Sequence, residues 1–161
     1  MSDLSFKEKS ILGTLVLVLV VSFFYFSRVV EMLAAGTVDL AALGGLAVSL
    51  IVFFIIVEIV FHSAIALWSP QDAEAGEDER DRLIELKGER VGGLLLGLGV
   101  AFTVGHIALN GLFGSLAGSE PRLAALMSTS PFVTANLLLF SLTVSEIGKY
   151  LSQLLYYRRG A

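Results

Sequence analysis

Four long apolar stretches dominate this sequence and restrict the folds that it can adopt. They cover about residues 11–30, 40–68, 91–113 and 131–157. A bilayer core about 30 Å thick is crossed by a helix of about 20 apolar residues, and each stretch reaches that length. Backbone N–H and C=O groups find no water in hydrocarbon, so such segments pair these groups internally as helices. The sequence therefore predicts an all-α integral membrane bundle of four transmembrane helices.

The composition agrees with a membrane protein and narrows its chemistry. Hydrophobic residues make up 55% of the 161 residues, charged residues make up 16%, and the mean hydropathy is +0.81. A soluble domain carries about 25% charged residues, so this chain has too little polar surface to cover itself in water. The lack of cysteine excludes disulfide frameworks, thiolate zinc sites and cysteine nucleophiles. The net charge of −4 argues against nucleic acid and leaves the lipid bilayer as the expected partner.

The polar segments divide the chain into two helical hairpins. We predict a first hairpin over 1–68, an acidic cytoplasmic linker with a helical extension over 69–90, and a second hairpin over 91–161. The linker is expected to begin as a mobile segment and then to continue as a helix into the third span. Ser5 and Glu8 have the spacing of a capping box, which predicts a helix start ahead of the first span.

The basic residues predict the orientation of the spans. One side, with its adjoining helix ends, holds nine of them: Lys7, Lys9, Arg80, Arg82, Lys87, Arg90, Lys149, Arg158 and Arg159. The other side holds only Arg28 and Arg122. Because Lys and Arg concentrate in cytoplasmic loops, both termini and the central loop are predicted to be cytoplasmic. In a bacterium the host membrane would be the inner one.

The two hairpins share a sequence pattern that indicates an internal duplication. The first span begins Lys7-x-x-Ser10-Ile11-x-Gly13-x-Leu15, and the third begins Lys87-x-x-Arg90-Val91-x-Gly93-x-Leu95, a shift of 80 residues. Glu58-Ile59 and Glu146-Ile147 are related by a shift of 88. Two hairpins of one orientation would form a parallel repeat. Chance similarity among helices rich in leucine, valine and glycine is the alternative.

Two carboxyl groups lie at one predicted level inside the membrane. Glu58 and Glu146 each precede an aromatic residue at a span end by ten residues, which is about 15 Å of helix. His62 lies one turn from Glu58, while Lys149 and Tyr150 lie close to Glu146. A buried carboxyl group balanced between desolvation and a nearby cation can exchange a proton, as a proton relay or cation site requires. The alternative is a polar pair that fixes helix packing, where membrane hydrogen bonds average about 0.6 kcal/mol.

The remaining polar residues of the spans support weaker hypotheses. His106 and Asn110, one turn apart in the third span, would line an outer vestibule or bond across a helix interface. Glu58-x-x-x-His62 offers only two facing ligands, so the sequence leaves a metal site undecided. No cofactor is expected.

Small residues predict close helix contacts. Gly93 and Gly97 have the spacing that lets two membrane helices approach closely, and Gly44 and Gly45 offer the same on the second span. Such contacts form within one chain or between subunits. Because four helices bury little on their own, a homo-oligomer is expected.

The helical extension suggests a second class of function. Arg80, Arg82, Leu83 and Ile84 would form a docking surface for a soluble cytoplasmic protein, although a solvated helix is the simpler interpretation of the charge pattern. A regulatory or scaffold protein is therefore the alternative to a proton or cation pathway. An enzyme is not expected, because the sequence shows no paired histidines, phosphate loop or nucleophile constellation. A quinone-binding role stays open.

The loop residues resemble those of a known group of proteins. Asp78-Glu79-Arg80-Asp81, then Ile84-Glu85, lie between two pairs of spans, and the chain ends Tyr157-Arg158-Arg159-Gly160. This layout resembles a family of small, uncharacterised bacterial four-span membrane proteins. The resemblance implies topology and a bacterial origin, and it implies no reaction.

Overall fold

The computed structural model describes residues 5–68, 78–113 and 130–159, and these residues form four long helices. Their bounds are α1 Phe6–Ala35, α2 Leu40–Trp68, α3 Glu79–Phe113 and α4 Pro131–Arg159. All four are long and apolar enough to cross a membrane. The prediction of an all-α membrane bundle of four helices is confirmed.

The helices begin where side chains can bond their first free N–H groups. Ser5 Oγ accepts from the backbone N–H of Glu8, and the Glu8 carboxylate accepts from the backbone N–H of Ser5, so the predicted capping box is present. Asp39 Oδ1 at the start of α2 and Asp78 Oδ1 at the start of α3 each accept from the backbone N–H three residues later, at 2.9 and 2.7 Å. α1 ends at Gly36, whose φ of 67° is the left-handed conformation that glycine adopts without strain.

The helices run alternately up and down, and α1 and α4 form the central pair. α4 packs most extensively on α3, and α1 packs on both α4 and α2. The starts of α1 and α3 and the ends of α2 and α4 therefore share one end of the bundle, which we call the proximal end. The predicted third span began at about residue 91, whereas α3 runs without a break from Glu79, as the expected helical extension requires. The predicted linker at 69–77 and the connection at 114–129 lie outside the described residues.

Small residues bring α3 and α4 together. Each added Cβ at Gly88, Gly92 and Gly99 would meet a side chain of α4. Ser145 Oγ donates to the backbone oxygen of Gly92 at 2.8 Å, which such close approach permits. Gly93 and Gly97, the glycines predicted for close contact, have no heavy atom within 4 Å of an added Cβ. They face away because one residue of helix turns the side-chain direction by about 100°.

The start of α3 is fixed to the end of α4. Tyr157 Oη donates to Asp81 Oδ1 at 2.7 Å, and the Arg80 guanidinium donates to the backbone oxygen of Tyr157 at 3.2 Å. Ile84 lies beneath these contacts and is only 1% exposed. The extension is therefore an integral part of the α3–α4 interface.

We expect a methyl group at Gly99 to destabilise the protein. The added Cβ would overlap the Ser141 side chain and lie 3.2 Å from its Cα. Gly99→Ala should therefore lower the free energy of unfolding by about 1–3 kcal/mol, the usual cost of overpacking. Unfolding in mixed detergent micelles measures this change. Gly97→Ala is the matched control, since its Cβ meets nothing within 4 Å and alanine favours helix, and equal effects of the two changes would contradict this packing.

Candidate functional site

A histidine on α2 links a hydroxyl group to a carboxyl group. His62 Nε2 lies 2.8 Å from Ser10 Oγ, and His62 Nδ1 lies 3.0 Å from Glu58 Oε2. Nδ1 is also 3.0 Å from the backbone oxygen of Glu58. Thr14 Oγ1 donates to the same Glu58 Oε2 at 3.2 Å. We call Ser10, Thr14, Glu58 and His62 the histidine cluster.

Helix periodicity and antiparallel packing assemble this cluster. Glu58 and His62 are four residues apart on α2, and Ser10 and Thr14 are four apart on α1, so each pair lies on one face. Gly13 allows the two faces to meet, because an added Cβ there would overlap the ring of Phe61. The Glu58 side chain is 19% exposed and the His62 side chain 43%. The carboxyl group is thus turned into the helix interface.

The hydrogen bonds of the cluster are compatible with both protonation states of His62. His62 Nδ1 is hydrogen-bonded to the backbone oxygen of Glu58, so its hydrogen is assigned to that bond, and the Glu58 carboxylate lies 3.0 Å from the same nitrogen. In the neutral ring Nε2 then accepts from the Ser10 hydroxyl. In the protonated ring Nε2 donates to Ser10 Oγ, and Glu58 balances the charge. The Ser10 contact therefore accommodates either form of the ring with the same positions of the heavy atoms.

A lysine on α4 forms a second cluster. Lys149 Nζ lies 2.6 Å from Glu146 Oε2 and 3.5 Å from Glu89 Oε1 on α3. The same ammonium group lies 4.7 Å from the centre of the Tyr150 ring. Lys149 is 15% exposed, Glu146 35% and Glu89 59%. We call Glu89, Glu146, Lys149 and Tyr150 the lysine cluster. The ammonium group of Lys149 lies among two carboxylates and an aromatic ring.

A cavity at the proximal end touches both clusters. Its volume is about 240 Å³, and α1, α3 and α4 contribute to its wall. Ser10 lines it from the histidine cluster, and Glu89, Lys149 and Tyr150 line it from the lysine cluster. Glu58 and His62 lie behind Ser10. Ser10 therefore lies between the cavity and the half-buried Glu58–His62 pair.

The structure divides the predicted pathway residues into two groups. Glu58 and His62 lie between α1 and α2, whereas Glu146, Lys149 and Tyr150 lie on α4, where Lys149 reaches Glu89 of α3. Sequence analysis missed three members: Ser10, Thr14 and Glu89. The four-residue spacing of Ser10 and Thr14 was visible in the sequence, but their pairing with α2 depends on helix register.

The predicted docking surface is only partly exposed. Leu83 is 52% exposed and Arg82 is also exposed, as a docking role requires. Ile84 is buried and Arg80 is bonded to the end of α4, so the assignment of Ile84 to a docking surface is corrected. The cause is helix geometry: successive residues lie about 100° apart, and Ile84 falls on the α4 side.

The predicted outer vestibule lies toward the other end of α3. His106 and Asn110 are both half-buried, and Asn110 Nδ2 is buried without a hydrogen-bond partner among the described residues. The vestibule itself stays a prediction.

Comparisons with known proteins add no assignment. In the described parts of the chain, no three His, Asp or Glu side chains come together as a possible metal site. No known family, curated protein or solved structure matches the chain. The function is therefore inferred from the geometry of the two clusters.

We expect Glu146 and Lys149 to be energetically coupled. A double-mutant cycle with Glu146→Gln and Lys149→Met should give a coupling energy above about 1 kcal/mol, because the loss of one partner leaves a partly buried charge. Unfolding in mixed micelles measures each variant. Arg28 and Glu31 form the control pair with the same three-residue spacing, and their side chains are 58% and 61% exposed. Their coupling should stay below about 0.5 kcal/mol, and equal couplings would contradict the prediction.

Proposed function

We propose that this multi-pass membrane protein provides a proton pathway that begins at the cavity of the proximal end. The observation that carries the proposal is the position of the Ser10 hydroxyl, which lines the cavity and bonds His62 at 2.8 Å. Ionisable residues inside a membrane are costly, and in pumps and transporters they form proton relays.

The relay proceeds through the histidine cluster. A proton from the cavity reaches His62 Nε2 through the Ser10 hydroxyl, and the Glu58 carboxylate compensates the positive charge on the ring. Glu58 then takes the proton from Nδ1, which lies 3.0 Å from Oε2. Glu58 Oε1 is buried without a hydrogen-bond partner among the described residues, so it offers the next site for the proton. A histidine is suited to this role because its charge changes near neutral pH.

The lysine cluster supplies fixed charges on the cavity wall. Lys149 compensates the carboxylates of Glu146 and Glu89, both within 3.5 Å of its ammonium group. Asp81, Glu85 and Glu89 give the wall three acidic residues beside Lys7 and Lys149. A wall of this composition favours cations, and a metal cation in place of the proton is the alternative cargo. Tests with sodium and potassium gradients distinguish the two.

The setting of the pathway is part of the proposal. The nine basic residues of the proximal end support a cytoplasmic position for that end and for both termini. The bacterial inner membrane is the proposed location. Gly44, Gly45, Gly93 and Gly97 have open space beside them, which supports contacts between subunits in a homo-oligomer.

We expect Glu58→Gln to abolish proton flux. The amide cannot exchange a proton, although it keeps the size and hydrogen-bonding capacity of the side chain. Proteoliposomes with a pH-sensitive dye inside report flux under an imposed potential. Glu31→Gln is the control, because Glu31 is 61% exposed and pairs with Arg28 outside the cluster. Unchanged flux in Glu58→Gln would remove the proposal.

The alternative is a scaffold that binds a soluble protein through α3. The exposure of Leu83 beside Arg82 favours the scaffold function. Ile84 and Arg80 hold the other side of the helix against α4, which keeps Leu83 and Arg82 at the surface. Arg82→Glu with Leu83→Asp should abolish cross-linking to such a partner and leave proton flux unchanged. Retained cross-linking would contradict the scaffold function.

A further inference from the structure

Three side chains of the histidine cluster are arranged like a serine nucleophile with its base and an acidic residue behind that base. Ser10 Oγ faces His62 Nε2 at 2.8 Å, and the opposite ring nitrogen faces the Glu58 carboxylate at 3.0 Å. A nucleophilic hydroxyl needs an adjacent base within about 2.6–3.2 Å, and that base needs a third group to orient it. The sequence alone does not reveal this arrangement, because 52 residues separate Ser10 from His62.

We propose that Ser10 is a nucleophile, activated by His62 and Glu58, that accepts the acyl group of a carboxylic ester whose polar head enters the cavity of the proximal end. Ser10 lies four residues beyond the first residue of α1, about 6 Å along the helix. At this depth a cavity wall combines charged residues with Ile11 and Ile84. This combination suits an amphiphilic ester, with its head among charges and its acyl chain toward the apolar spans.

The reaction proceeds in two steps, acylation of Ser10 and hydrolysis of the acyl group. Ser10 Oγ forms a bond to the carbonyl carbon while its proton passes to His62 Nε2. The bond from that carbon to the alcohol oxygen then breaks, and the proton passes from Nε2 to the leaving oxygen. Water attacks the acyl group on Ser10 and gives one proton to Nε2, and the Oγ–carbon bond breaks as that proton returns to Oγ. The products are an alcohol and a carboxylic acid.

The cavity wall holds two lysines among its acidic residues, and these lysines would balance part of the negative charge that develops in this reaction. The carbonyl oxygen becomes negative when Oγ attacks, and fixed positive groups nearby stabilise such an oxyanion. Lys7 lies three residues before Ser10 on α1, and both line the cavity with Lys149. Glu58 stabilises the positive charge that forms on His62 in the same step.

A fluorophosphonate probe tests the nucleophile on the full-length purified protein. A reactive Ser10 displaces fluoride, forms an Oγ–phosphorus bond and loses its proton to His62, and peptide mass mapping locates the adduct. We expect the adduct on Ser10, absent in Ser10→Ala, and formed at least about 100-fold more slowly in His62→Gln. Ser152→Ala is the control, because Ser152 Oγ also lies toward the proximal end and donates to the backbone oxygen of Lys149. No adduct on Ser10, or an equal rate in His62→Gln, overturns the proposal.

The lack of cysteine allows a second measurement that does not depend on the size of the probe. Ser10→Cys and Ser152→Cys each introduce a single thiol into the chain. Iodoacetamide should alkylate Ser10→Cys at least about 10-fold faster, because His62 favours the thiolate, and adding His62→Gln should remove the difference. Equal rates for the two single variants overturn the proposal, and circular dichroism confirms that each variant is folded.

Proton flux in the same variants separates this inference from the proposed pathway. An unlabelled Ser10 with flux that still depends on Glu58 overturns the nucleophile alone. A labelled Ser10 with flux that does not depend on Glu58 overturns the pathway alone.

Discussion

A polar side chain among apolar helices must find its partner within the protein, because hydrocarbon offers none. The two clusters satisfy this constraint by different means. Around Glu58 the partners are two hydroxyl groups and an imidazole, whose charge can change. Around Glu146 the partner is Lys149, a permanent cation held between two carboxylates. The first arrangement is suited to exchange of protons, whereas the second maintains charge on the wall of the cavity.

Close helix packing gives these contacts their short distances. α3 and α4 approach through Gly88, Gly92 and Gly99, and this approach lets Lys149 reach Glu89 on the neighbouring helix. α1 and α2 approach where Gly13 accommodates the ring of Phe61, between the two contacts of the histidine cluster. Small residues are therefore part of the site, since a larger side chain would separate the hydrogen-bonded groups.

Local sequence patterns predicted the helices, but they could not predict which helix each carboxyl group would face. Hydropathy indicated four spans, and the helix start at Ser5 follows the predicted capping box. Rotation about the helix axis is different, because it depends on packing against another helix. Gly92 lies at the helix interface, one residue from Gly93, which was the predicted contact. Ile84 is buried, although it was predicted to be part of an exposed docking surface. The same dependence hid the partnership of Ser10 with His62.

The two hairpins differ by one residue in the register of their helix packing, although the predicted duplication relates their sequences. Gly13 packs on Phe61, and the shifts of 80 and 88 residues relate this pair to Gly93 and Lys149. The second hairpin instead packs Gly92 on Lys149, a difference of one residue on α3 alone. The corresponding rotation, about 100°, turns Gly93 away from α4. The shifts also relate Ser10 and His62 to Arg90 and Tyr150, which cannot form the same relay. If the halves share an origin, the contact between Ser10 and His62 was therefore kept in, or acquired by, the first hairpin alone.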